Sequence, residues 1–418
     1  MNMTKFIHNT PIAKLCALCF ALTIGCTQES AVDPAKSSTF IRYFNGAFAD
    51  EAQALLETPD NGLLILANIN FEGIKRATLI KTDEFGIKQW QRFFPAIDQN
   101  DPPSYACYGI TLMPGGGFAM VGENITTGSL LIITTDADGN TPVVNTVASA
   151  PGRKGVAVAV NSAGNLCVVA INPVAASQNI FLSEFAKTNT AGPIWTRSYG
   201  AGALTSDDTG LPNKLFVDAA NNCYWGGTVL KGSPSNPGMR FMKAPPNEPS
   251  VLFDLTMGRP SALEVAGDMI RYGNTFAFIG TNQSATRDTV VVRRMTEGGT
   301  QVFSTGYLID SQQQLTGEVT GNSLAVARDG GLVLLSTVGI GPPGQPSTNF
   351  DYCLVKIDGL GSPNPVWTRI IGGRFNERGK NIITARDGGH VVLGTTSLAN
   401  VNTILLMKVD KDGNIPGF

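Results

Sequence analysis

The chain has 418 residues, with 31 Lys or Arg against 33 Asp or Glu, a net charge of −2 at pH 7. A balance this near neutral supplies no basic stripe, so no nucleic-acid partner is expected. Charged residues make up only 15% and glycine reaches 47 residues, which together with many short β-branched runs points to an all-β protein rich in turns.

The chain opens with Lys5 and Lys14 and has no acid before Glu29. Leu15 to Ile24 is an apolar run broken only by Thr23, the length of a signal-peptide core and too short to span a bilayer. It ends in Leu22-Thr23-Ile24-Gly25-Cys26. This resembles the bacterial lipobox at Gly25 and Cys26 and departs from it at Thr23, where leucine is usual. The resemblance implies that residues 1–25 are removed and that Cys26 carries lipid. Residues 26–38 are polar, contain Pro34 and read as a flexible tether. Thr27, not Asp, follows Cys26, so the expected address is the outer membrane, on its periplasmic or exterior side. The lipid is then the contact with the membrane, since no later segment is long and apolar enough to cross one as a helix.

From residue 39 onward the sequence repeats. A turn followed by an apolar strand occurs at Asp60-Asn61-Gly62-Leu63, Gly115-Gly116-Gly117-Phe118, Ala163-Gly164-Asn165-Leu166 and Ala220-Asn221-Asn222-Cys223. It returns at Tyr272-Gly273-Asn274-Thr275, Asp329-Gly330-Gly331-Leu332 and Asp387-Gly388-Gly389-His390. Seven copies, roughly 48–58 residues apart, suit four short strands per unit and predict a seven-bladed β-propeller over residues 39–418. A second strand and tight turn follow each copy and often lead to tryptophan, as in Lys81-Thr82-Asp83-Glu84-Phe85-Gly86 before Trp90. The last copy stops at Asn414 with no closing strand, whereas Thr39 to Gly46 reads like Val366 to Gly373. The N-terminal strand is therefore expected to complete the last blade, which removes open sheet edges.

These repeats resemble those of bacterial propeller lipoproteins with a DGG-strand and a KxDxxGNxxW turn, and more distantly those of quinoprotein-like propellers. The resemblance covers residues 39–418. It implies the fold and leaves the function open, because propellers host unrelated activities.

Loop lengths favour one face. The connections from Lys231 to Gly238 and Gly339 to Phe350, inside blades, are long. So are those from Phe94 to Tyr105, Tyr199 to Pro212 and Gly306 to Gly321, between blades. Both sets emerge on the same face of a four-stranded blade, which marks it for binding. Its candidate residues are Phe71, Tyr105, Asp207, Asp208, Arg287, Arg374, Phe375 and Arg378.

Catalytic residue types are scarce. Beyond His8 there is only His390, inside a predicted strand, so no catalytic residue is assigned. Asp136-Ala137-Asp138-Gly139-Asn140 and Asp410-Lys411-Asp412-Gly413-Asn414 have glycine fourth, not sixth as a calcium loop requires, and read as hairpin turns. No metal or cofactor is expected. Cys107, Cys167, Cys223 and Cys353 read as buried free thiols, and the tryptophans as packing between blades. The first expectation is a non-enzymatic binding or scaffold module for an envelope protein or a glycan. The alternative is a carbohydrate-active enzyme, a glycosidase or lyase, using carboxylates in the funnel.

Overall fold

The computed structural model describes residues 38–415, apart from 45–49, 98–99, 173–179, 200–213, 232–235, 259–262, 285–286, 310–314, 343–346 and 399–400. The expected signal, Cys26 and all of the tether but its last residue, Ser38, lie outside the described residues.

The first strand is β1 (Phe40–Phe44). Blade 1 is β2 (Asp50–Glu57), β3 (Leu63–Phe71), β4 (Ile74–Thr82) and β5 (Lys88–Phe94). Blade 2 is β6 (Tyr105–Leu112), β7 (Phe118–Asn124), β8 (Ser129–Thr135) and β9 (Val143–Pro151). Blade 3 is β10 (Lys154–Val160), β11 (Leu166–Ile171), β12 (Ile180–Phe185) and β13 (Trp195–Tyr199). Blade 4 is β14 (Leu215–Val217), β15 (Cys223–Lys231), β16 (Asn236–Ala244) and β17 (Phe253–Met257). Blade 5 is β18 (Leu263–Tyr272), β19 (Thr275–Gln283), β20 (Thr289–Thr296) and β21 (Gln301–Tyr307). Blade 6 is β22 (Leu315–Val326), β23 (Leu332–Ile340), β24 (Asn349–Ile357) and β25 (Trp367–Ile371). Blade 7 is β26 (Glu377–Thr384), β27 (His390–Leu398) and β28 (Val401–Val409), and β1 is the fourth strand of its sheet. All pairing is antiparallel, and β1 meets β28 from Phe40↔Lys408 to Phe44↔Ile404. The chain is a seven-bladed β-propeller.

Strand position within a blade decides its residues. The second strand is covered by blades on both sides and is apolar almost throughout, as in Leu63 to Ile69. The fourth strand is an edge, and Lys88-Gln89-Trp90 leaves its polar residues in solvent. Among the described residues the core is divided into seven apolar clusters, each joining two neighbouring blades. Leu64 and Leu66 of blade 1 pack with Phe118, Met120 and Leu131 of blade 2. Phe40, Leu393 and Leu406 of blade 7 pack with Leu55, Leu63 and Ile65 of blade 1. Each such aliphatic side chain contributes about 1.5–3 kcal/mol on burial.

The two repeated motifs are one device. In blade 1 the ammonium of Lys81 reaches Asp60 at 2.8 Å, tying the third strand to the turn before the second. Lys356 to Asp329 and Lys408 to Asp387 repeat the tie in blades 6 and 7. The tryptophans then clasp neighbouring blades. Trp90 lies against Gly139 of the next blade, where a Cβ would come within 2.9 Å of its ring. The Arg92 guanidinium covers Trp90 at 5.1 Å and donates to Asn140 at 2.9 Å. Trp367, Arg369, Gly413 and Asn414 repeat this between blades 6 and 7. Phe40 of β1 takes the same place against Gly86.

Cys107, Cys167, Cys223 and Cys353 are buried and free. His390 is buried against Trp367, its Nδ1 3.1 Å from the Thr384 hydroxyl, and burial holds its pKa below the ordinary value. The Asp136 carboxylate caps its own turn, accepting from the amides of Asp138 at 3.1 Å and Asn140 at 2.7 Å.

Candidate functional site

The first strands of six blades, with Lys214 just before the first strand of blade 4, line an axial channel of 590 Å³. That is within the range of small-ligand pockets, about 300–1,000 Å³. A β-bulge places one extra residue on a strand and re-aims its side chain. The register slips once between Ala52 and Ala54, Cys107 and Gly109, Gly155 and Ala157, Ala266 and Asp268, Gly321 and Ser323, and Gly379 and Asn381. The residues skipped are Gln53, Tyr108, Val156, Gly267, Asn322 and Lys380, and all six line the channel. Six blades thus use one backbone irregularity to present six different groups to one space.

The wall behind this ring is rigidly hydrogen-bonded. Lys214, just before β14, reaches Asp268 at 2.9 Å; the Ser323 hydroxyl donates to the same oxygen at 2.5 Å. Asn381 donates to Ser323 at 3.0 Å and accepts from the Leu55 amide at 3.1 Å. This chain crosses blades 4, 5, 6, 7 and 1. A second set of bonds holds the bulges. Asn68, Thr228, Thr281 and Thr337 accept from the backbone amides of Cys107, Ala266, Gly321 and Gly379 in the following blades, at 2.9, 2.9, 2.9 and 3.0 Å.

Glu123 occupies the corresponding place in blade 2, and it breaks the pattern. Its carboxylate accepts from the Tyr108 phenol at 2.7 Å. Lys154 lies 3.8 Å from the carboxylate and 3.8 Å from the centre of the Tyr108 ring. A phenol, a carboxylate and an ammonium are thereby brought together at the wall, with Tyr108 and Lys154 facing the channel.

The channel is basic in a chain that is slightly acidic overall. Lys75, Lys154, Lys214, Arg378 and Lys380 line it, against Asp50, Glu51 and Asp268. Two ion pairs cancel within it, Glu51 with Lys75 at 3.1 Å and Asp268 with Lys214 at 2.9 Å, so the excess of positive charge is that of Lys154, Arg378 and Lys380 over Asp50, with Glu123 beside Lys154 at 3.8 Å.

Of the residues expected from the sequence, Arg378 lines the channel. The others that are described stay on the long-loop rim. Phe71 ends β3, and Tyr105 begins β6, half-buried against the core between blades 1 and 2. Arg287 donates to the Ile309 carbonyl at 2.6 Å and fastens a loop between blades. Arg374 covers the ring of Phe375 at 5.0 Å. Asp207 and Asp208 lie outside the described residues. Two loops are shorter than expected, since pairing runs on to Lys231↔Asn236 and Ile340↔Asn349.

No family model matches the chain, and no curated protein matches it in sequence. Solved structures do resemble it. A polysaccharide lyase named as an ulvan lyase aligns with a TM-score of 0.56 at 9% identity, over 89% of this chain and 97% of that one. An ulvan lyase bound to -[GlcA(1-4)Rha3S]- aligns with a TM-score of 0.56 at 10% identity over the same shares. A further polysaccharide lyase aligns with a TM-score of 0.50 at 10% identity, over 88% and 92%. At these identities the likeness is one of fold.

Proposed function

We propose that this chain is a lipid-anchored propeller of the bacterial envelope that binds an anionic glycan in its axial channel. The observation that carries the reading is the ring of bulge residues in a basic channel. Gln53, Asn322, Tyr108 and Lys380 offer amide, phenol and ammonium groups suited to sugar hydroxyls and acidic substituents. Resemblance of fold to polysaccharide lyases, one of them holding a glycan, supports a carbohydrate over an envelope protein as the ligand. Among the described residues, the exposed large apolar side chains Ile97, Ile125, Leu263 and Leu308 are on separate blades or connections. The anchor reading is supported by Lys5, Lys14, the run from Leu15 to Ile24, and Gly25-Cys26. Its check is palmitate labelling in cells, which Cys26→Ala should abolish.

A second reading, cleavage of that glycan by elimination, is favoured by the Tyr108, Glu123 and Lys154 group. Elimination beside a uronate needs a proton acceptor and a cation that neutralises the carboxylate, and a phenol next to an ammonium supplies both types. Glycosidase chemistry is less well supported, because Glu51 and Asp268 are held in ion pairs.

Affinity electrophoresis in gels containing acidic or neutral polysaccharides separates these readings. Retardation by acidic polysaccharide alone, with no ultraviolet-absorbing unsaturated product after long incubation, is the expected result. Retardation with product formation moves the assignment to a lyase, and mobility unchanged in every gel refutes both.

A further inference from the structure

The clasp that joins neighbouring blades is missing between blades 2 and 3. At other seams an aromatic residue of the outermost strand fills the space beside a glycine of the next turn: Phe40 at Gly86, Trp90 at Gly139, Phe303 at Gly361 and Trp367 at Gly413. Gly192 has nothing within 4 Å of its Cβ position. The residue of β9 in the register place of Trp90 is Val143, which is 54% exposed. Asn145 stands where Arg92 does and donates to Thr190 at 2.6 Å. β9 also bows out of its own sheet. Its pairing passes from Ser129↔Pro151 to Leu131↔Thr146, so Leu130 alone stands opposite residues 147–150. The outermost strands of blades 3, 4 and 6 pair without a slip.

A cavity of 320 Å³ lies where β9 bows. Leu130 and Val147 line it from blade 2, Ser183, Phe185 and Thr196 from blade 3, and Arg153 from the turn between the two. Phe181, Ser183 and Phe185 share one face of β12, and the Arg153 guanidinium is 3.7 Å above the Phe181 ring, which places the cation at that end of the row. Arg153 is half-buried and makes no hydrogen bond or ion pair among the described residues. Burial lowers its pKa, and no carboxylate offsets this. Arg240 and Arg293, by contrast, are each bound to a carboxylate, Asp254 at 2.8 and 2.6 Å and Glu264 at 2.7 and 2.6 Å. A partly desolvated guanidinium beside an open cavity is matched by an anion. The walls limit what carries that anion. The Ser183 and Thr196 hydroxyls bond each other at 2.9 Å, which leaves the exposed Ser149 hydroxyl and otherwise apolar surface. That is poor in partners for a sugar and suited to an apolar ring.

We propose that the cavity between blades 2 and 3 is a second binding site, for a small aromatic carboxylate, with its acid group on Arg153 and its ring between Val147 and Phe185. The site does not depend on what the channel binds.

The test is a titration of the full chain with sodium benzoate, followed by NMR of labelled leucine and valine methyls. Saturable shifts of the Leu130 and Val147 methyls are expected, with Kd of about 1 mM. Benzamide, which has the ring without the charge, should bind at least about tenfold more weakly, and so should benzoate to Arg153→Gln. The other methyls report whether that variant has folded, and the benzamide comparison needs no variant. Three results would each overturn the proposal: no shift at Leu130 and Val147 in about 20 mM benzoate, shifts confined to the channel valines Val156 and Val265, or equal binding of benzoate and benzamide.

Discussion

At Gly139 the chain needs the absence of a side chain for two reasons. Its φ of 69° lies in the left-handed region, and the Trp90 ring fills the space a Cβ would take. Gly139→Ala should therefore cost about 1–3 kcal/mol, the usual range for overpacking, with added strain from φ. Urea denaturation measures it; an unchanged midpoint would mean that Trp90 does not hold blade 2. This glycine and its tryptophan were legible in the sequence because they recur. The channel residues were not, because Gln53, Tyr108, Val156, Gly267, Asn322 and Lys380 share no chemistry. Their regularity is positional. Gln53, Tyr108, Val156, Asn322 and Lys380 each stand seven residues before the turn that opens their copy of the repeat, at Asp60, Gly115, Ala163, Asp329 and Asp387. Counting back from the turns would have found them. Choosing polar and aromatic residues on long loops reached only Arg378 among the channel residues.

Among the elements, β1 has the largest consequence for its length. It spans five residues, yet Phe40 joins the cluster between blades 7 and 1 and stands against Gly86 as Trp90 stands against Gly139. Phe40→Ala should lower stability by about 3–5 kcal/mol, the range for a buried phenylalanine. Removing residues 39–44 should cost more, because it also exposes the edge of β28. Equilibrium unfolding checks both, and a loss below that of Gly139→Ala would deny β1 this role. The seven turns and the likeness of Thr39–Gly46 to Val366–Gly373 made this strand readable in advance. The bulges were unreadable as elements: one extra residue shifts the inward–outward alternation by one place, and strands of 7–12 residues are too short for that change of phase to show.

For the whole molecule, pH acts from two sides. Asp60 is lowered to about 2 from 3.8; its desolvation opposes this, but the hydrogen bonds from Lys81 and Thr58 and the Lys81 charge prevail. The stability it contributes is present above 3.8 and lost as pH falls through about 2. Burial pushes Glu377 up to about 7 from 4.5; the Thr396 hydrogen bond pulls against it and the Asp351 charge adds to it. Its folded form keeps a proton that the unfolded chain has released. That stability is full below 4.5 and is lost as pH rises through about 7. The lowered His390 pKa acts the other way, so the Glu377 part is read by comparison: from pH 4.5 to about 7 the unaltered chain should lose Tm relative to Glu377→Gln. A Tm difference between the two proteins that stays flat over that range would contradict this.

The ring of seven blades also explains how a chain with few charges makes a charged site: the apolar residues go between blades, and the bulges collect polar ones at the axis. The most direct test is a calorimetric titration of a hexuronate oligosaccharide into three proteins: the unaltered chain, the channel variant Tyr108→Phe/Lys380→Ala, and the rim variant Arg374→Ala/Phe375→Ala. Binding to the unaltered and rim proteins, with at least about a tenfold loss in the channel variant, is the predicted result. Binding that survives in the channel variant and disappears in the rim variant, or no binding to any of the three, would contradict it.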